Sequence, residues 1–125
     1  MKLSQLIKIR KTLETHAQES IPTALAYKIM KFIKASSEEG AFYNEKFRGI
    51  IEKYADKDEN GKPIINGSNI KIQTELIPEC EKELRELEDT EVELPKIKFT
   101  VVELSPLKFS VAEMFILDEV IEEQN

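Results

Sequence analysis

The chain reads as a mainly α domain of the α+β class. It predicts a helical hairpin with one long helix, a small two- to three-stranded β element and a C-terminal helix. Three observations lead there. Apolar residues recur at spacings of three and four from Leu3 to Tyr54. Turn residues, including two Asn-Gly pairs, concentrate between Asp56 and Gly67. Short alternating stretches appear beyond that point.

A length of 125 residues suits a single domain, with 1–56 as the hairpin and 57–125 as a β/α part. Apolar residues make up 41% and charged residues 34%, a folded composition with a heavily solvated surface. Without tryptophan, the core must come from Ile, Leu, Val, Phe and Tyr.

The first helix runs from Leu3 or Ser4 to about Gln18, with Leu3, Leu6, Ile7, Arg10, Leu13 and Ala17 along one stripe. Glu19 to Pro22 breaks it. Ser20 can cap the next helix, and Pro22 suits its first turn.

No strong breaker separates Pro22 from Asp56. Ala26, Met30, Ile33, Ser37, Gly40, Asn44, Phe47, Ile51 and Tyr54 form a heptad-like seam there. An unbroken helix of that length would span roughly 50 Å, more than a compact domain of this size covers. Gly40 costs about 1 kcal/mol against Ala within a helix, so it marks a kink or a close crossing by another helix. The seam is expected to pack on the first helix and on a second copy of the chain.

Asp56 to Gly61 is a turn, and Asn60-Gly61 favours a tight hairpin loop. Asp56-x-Asp58-x-Asn60-Gly61 also matches the first half of a calcium-binding EF-hand loop. The second half fails, because the position of the bidentate Glu holds Gly67. A polar hairpin turn explains the same residues. Lys62 to Gly67 reads as a loop or short edge strand, and Asn69 to Gln73 as a short strand.

A third helix is expected from Ile77 or Pro78 to Glu88, with Cys80, Leu84 and Leu87 facing inward. Thr90 to Leu94 alternates and reads as a strand. Ile97 to Leu104 alternates and then slips by one, which suggests a second strand with a bulge. Ser110 to Glu113 is a capping box that opens a last helix, whose apolar face is Met114, Leu117, Val120 and Ile121.

The chemistry-bearing residues are sparse. Cys80 is the one cysteine, so no internal bridge forms, and this fits a reducing compartment. Its neighbours Glu79, Glu81 and Glu83 disfavour a thiolate. His16 is the one histidine, without partners for a zinc site. The expectation is therefore no catalytic residue, no metal and no cofactor. No apolar run is long enough to cross a membrane.

Net charge is −6, but residues 1–34 carry +5 and residues 35–125 carry −11. An acidic chain is poorly suited to nucleic acid, whose phosphates are met by cation clusters. The asymmetry favours self-association, with a basic end meeting an acidic one. The candidate interaction residues are the seam members Met30, Ile33, Ser37, Gly40, Phe47 and Ile51. To these are added Lys28, Lys31 and Lys34, three apart on the long helix, which could meet phosphate or an acidic strip.

Several motifs follow one another along the chain: Ala26-Tyr27-Lys28; Phe47-Arg48 followed by Ile50-Ile51-Glu52-Lys53-Tyr54; Asp58-Glu59-Asn60-Gly61; Glu83-Leu84-x-Glu86-Leu87-x-Asp89-Thr90-Glu91-Val92-Glu93-Leu94; and Phe109-Ser110 with Ala112-Glu113-Met114. In this order, across most of residues 21–123, the chain resembles a family of small uncharacterised proteins encoded by tailed phages and prophages of Gram-positive bacteria. The resemblance implies a phage product acting in the host cytoplasm or in particle assembly, and it carries no activity or catalytic residue. The expected function is a non-enzymatic interaction protein, an assembly or accessory factor whose partners are itself and a phage or host protein. The alternative is a counter-defence inhibitor or ligand-sequestering protein acting on a host immune system.

Overall fold

The computed structural model describes residues 1–67 and 69–122. The end of the resemblance at residue 123 and of the expected domain at residue 125 lie outside the described residues. Mainly helical architecture with a minor β element is what the chain adopts. The described residues form α1 (Leu3–Thr15), α2 (Thr23–Ala35), α3 (Ser37–Tyr54), α4 (Ile77–Glu88), the one-turn α5 (Val101–Leu104) and α6 (Val111–Leu117). Strands β1 (Ile65–Asn66) and β2 (Asn69–Ile70) pair antiparallel, with Ile65 opposite Ile70 and Asn66 opposite Asn69.

The long helical stretch changes direction at Ser36, not at Gly40. Ser36 has φ −107° and ψ 13°, and its buried hydroxyl donates to the Phe32 carbonyl at 2.8 Å. Such back-bonding onto the preceding turn bends helices. Backbone bonding continues across the bend, with the Gly40 amide on the Ser36 carbonyl at 3.0 Å. Gly40 serves the close crossing. A Cβ there would lie 2.8 Å from Arg10 Nε, so the missing side chain makes room for a guanidinium from α1.

That guanidinium holds the three helices together. Its Nη1 donates to the Ile33 carbonyl at 2.7 Å and to Ser36 Oγ at 2.6 Å. Arg10 is therefore a polar fastener at the edge of the buried α1 stripe. The stripe itself is rotated from expectation: Leu3, Leu6, Ile9, Thr12 and Leu13 are buried, and Ala17 lies beyond the helix end.

The α2 face is also offset by one residue. Leu25, Ile29 and Phe32 go inside, while Ala26 and Met30 stay exposed. Apolar residues occur nearly all round α2, with lysines interspersed among them, so spacing alone cannot choose between these neighbouring stripes. The larger set wins, because Leu25, Ile29 and Phe32 bury more area than Ala26, Met30 and Ile33.

The main core joins the two ends of the chain. Leu6, Ile9 and Leu13 of α1 and Leu25, Ile29 and Phe32 of α2 pack on Phe99, Leu104, Leu107, Leu117 and Val120. The Phe32 and Phe99 rings meet at 6.3 Å with planes tilted by 53°. α3 packs against α4, which buries Cys80 and Leu87.

Two expected strands are corrected. Thr90–Leu94 makes one isolated antiparallel bridge, Glu91 to Lys2, instead of a strand. It acts as a tether for the start of α1: the Leu3 amide donates to the Thr90 carbonyl at 2.7 Å and the Val92 amide to the Met1 carbonyl at 2.9 Å. In the 97–104 segment, Phe99 makes a parallel bridge to Ile121, and the slip in alternation is a helix start. Thr100 Oγ1 accepts from the Glu103 amide at 3.1 Å, and the Glu103 carboxylate accepts from the Thr100 amide at 2.9 Å. This capping box turns the chain out of extended geometry.

Candidate functional site

The expected interaction residues lie on several faces. Ile33 and Ile51 are half-buried, Ser37 and Lys34 are exposed, and Gly40 is buried under Arg10. Met30 and Phe47 are 42% and 39% exposed. Phe47 stacks on Tyr43 at 5.8 Å. The bend at Ser36 divides the seam into two shorter stretches.

The most exposed apolar surface lies elsewhere, on α5 and α6. Val111 and Phe115, one turn apart on α6, are 75% and 78% exposed, and Val101 and Val102 of α5 are 58% and 69% exposed. Val101, Val111, Met114, Phe115 and Ile121 line a groove of about 570 Å³, with Asp118 as the polar group among them. α6 divides its apolar residues between two sides: Leu117 enters the core while Val111 and Phe115 face outward. The expected apolar face is split: Leu117 and Val120 are buried, while Met114 and Ile121 line the groove beside Val111 and Phe115, a pair at i, i+4 spacing.

This surface is held firmly. Ser110 caps α6: Oγ accepts from the Glu113 amide at 3.1 Å, and the Glu113 carboxylate accepts from the Ser110 amide at 2.9 Å. The same carboxylate reaches His16 Nε2 at 2.9 Å, beyond the C-terminal end of α1. Nδ1 of that ring meets Glu19, and the ring lies edge-on to Phe109 at 4.5 Å. Burial opposes the imidazolium, but the hydrogen bonds to Glu113 and Glu19 outweigh it and raise the His16 pKa. The Ser110 amide, then His16, hold the Glu113 carboxyl below its ordinary value.

A second groove lies between α2 and the 96–98 segment, with a volume of about 620 Å³. Lys28 and Lys31 line it, as expected candidates, together with Lys96 and Lys98, which the sequence reading missed because they meet α2 only in space. Lys28 Nζ binds both oxygens of Glu103, at 2.9 and 3.1 Å, and lies 5.3 Å from the Phe99 ring centre. Hydrogen bonds from Lys28 and then from the Thr100 amide lower the Glu103 pKa.

The remaining motifs have local roles. Asp58 Oδ1 accepts from the Asn60 and Lys62 amides at 2.9 and 3.0 Å, and Gly61 takes φ +76°. The carboxylate therefore closes its own turn, as a hairpin loop requires. Cys80 is buried, and burial followed by Glu83 and Glu81 raises its thiol pKa. Among the described residues, no group of three His, Cys, Asp or Glu side chains could hold a metal, and no helix is long and apolar enough to cross a membrane. No protein-family model, curated protein or solved structure matches the chain.

Proposed function

We propose that this chain is a non-enzymatic protein-interaction protein, an assembly or accessory factor of a tailed phage, that receives a protein partner on the α5–α6 groove. The observation that carries the reading is the outward pair Val111 and Phe115 on a helix whose opposite side is locked into the core. Contiguous exposed apolar surface of this kind marks interaction sites. Fully covering an aromatic or aliphatic side chain of this size is worth roughly 1.5–3 kcal/mol, so Phe115 is the natural anchor. The phage setting rests on the family resemblance of the sequence alone. Self-association belongs to the same reading, with Met30 and Phe47 offering a second apolar surface.

The test is a charge placed in the groove. Phe115→Asp touches no core packing, so the variant keeps wild-type stability while losing its association. Light scattering across a concentration series reads self-association, and comparative capture from producing cells reads other partners. A wild-type monomer whose captured proteins are identical to those of Phe115→Asp would refute the proposal.

A further inference from the structure

We infer that the groove between α2 and the 96–98 segment binds the phosphate groups of a small polyphosphate-bearing ligand. This goes beyond the docking of a protein on α6 and stands on separate residues. Lys28 and Lys31 sit one turn apart on α2, and Lys96 and Lys98 face them from the segment after Pro95. Four lysines thus line one groove of about 620 Å³. Among the described residues two carboxylates offset them, Glu122 in the lining and Glu103 on Lys28, which leaves a local charge of +2. The chain as a whole carries −6. Gathering like charges in one groove costs free energy through their mutual repulsion, and a bound polyanion recovers it.

The lysines are also positioned. Glu103 fixes Lys28, and Thr100 fixes Glu103 through the α5 capping box. Lys98 Nζ donates to the Glu119 carbonyl at 2.7 Å, one of the three hydrogens an ammonium offers. Lys31 Nζ lies 5.0 Å from the centre of the Tyr27 ring, which is 56% exposed. Lysine meets phosphate as a point charge, so several converging ammonium groups suit a chain of phosphates without fixing its orientation. The acidic remainder of the surface repels an extended polyanion, so the ligand is small and not nucleic acid.

The experiment is isothermal titration calorimetry at low salt with inorganic triphosphate, ATP and adenosine. Triphosphate and ATP are expected to bind, and adenosine is expected not to. Lys96→Glu and Lys31→Glu, both at exposed positions, should each weaken binding about tenfold or more, the loss of one charge-assisted contact. Lys46→Glu makes the same charge change on α3 outside the groove and should leave affinity within about twofold. Circular dichroism confirms that each variant is folded. The inference is overturned if triphosphate does not bind at millimolar concentration, if adenosine binds as tightly as ATP, or if Lys46→Glu weakens binding as much as Lys96→Glu.

Discussion

Replacing Gly40 with alanine should destabilise the protein, although alanine is the better helix former. A Cβ at this position would lie 2.8, 2.9 and 3.0 Å from Nε, Cζ and Nη2 of Arg10. A free arginine tip would step aside at little cost. This one is anchored on the Ile33 carbonyl and on Ser36 Oγ, so moving it breaks a charge-assisted hydrogen bond. Such a bond is worth about 1.5–3 kcal/mol, against about 1 kcal/mol gained from helix propensity. The net is a loss of about 0.5–2 kcal/mol in urea unfolding. The diagnostic is the double-mutant cycle with Arg10→Met. Without the guanidinium, Gly40→Ala should stabilise by about 1 kcal/mol. Stabilisation of equal size in both backgrounds would refute the crossing.

Three further outcomes follow from the geometry. His16→Gln should cost more stability at pH 5.5 than at pH 8.5, read by urea midpoints at the two pH values. The His16 pKa is raised above 6.5 on folding, so its contribution is full below 6.5 and lost as pH rises through the folded value. The lowered Glu113 pKa works the other way, contributing above 4.5 and fading as pH falls through its folded value, so the contact is strongest between. Thr100→Ala should lower stability by about 1 kcal/mol through loss of the α5 cap, measured by thermal unfolding. Phe32→Ala, at a fully buried position against Phe99, should cost about 3–5 kcal/mol by the same measurement.

The helices were legible where patterns were one-sided. α1 and α4 have a single apolar stripe each, and Ser110-x-x-Glu113 announces α6. α2 was legible as a helix but not in its register, because apolar residues surround it. Thr100-x-x-Glu103 carries the same capping signature as Ser110-x-x-Glu113. It was read as a strand because Val101 and Val102 are β-branched and the preceding residues alternate. Ser36 bends the helix through its own bond to Phe32, but the Arg10 guanidinium that fastens the bend comes from 26 positions earlier, and no local pattern encodes that bond. The lysine groove is hidden for the same reason, since its two walls are far apart in the chain.

Site-specific photo-crosslinking through a benzophenone side chain most directly examines the α5–α6 groove as a docking surface. The probe is placed at Phe115 and, for comparison, at Lys108, an exposed polar position outside the groove lining. Irradiation in producing cells should give one discrete protein adduct from position 115, abolished by Val111→Asp, and none from position 108. Equal adducts from both positions, or none from position 115, would contradict the account.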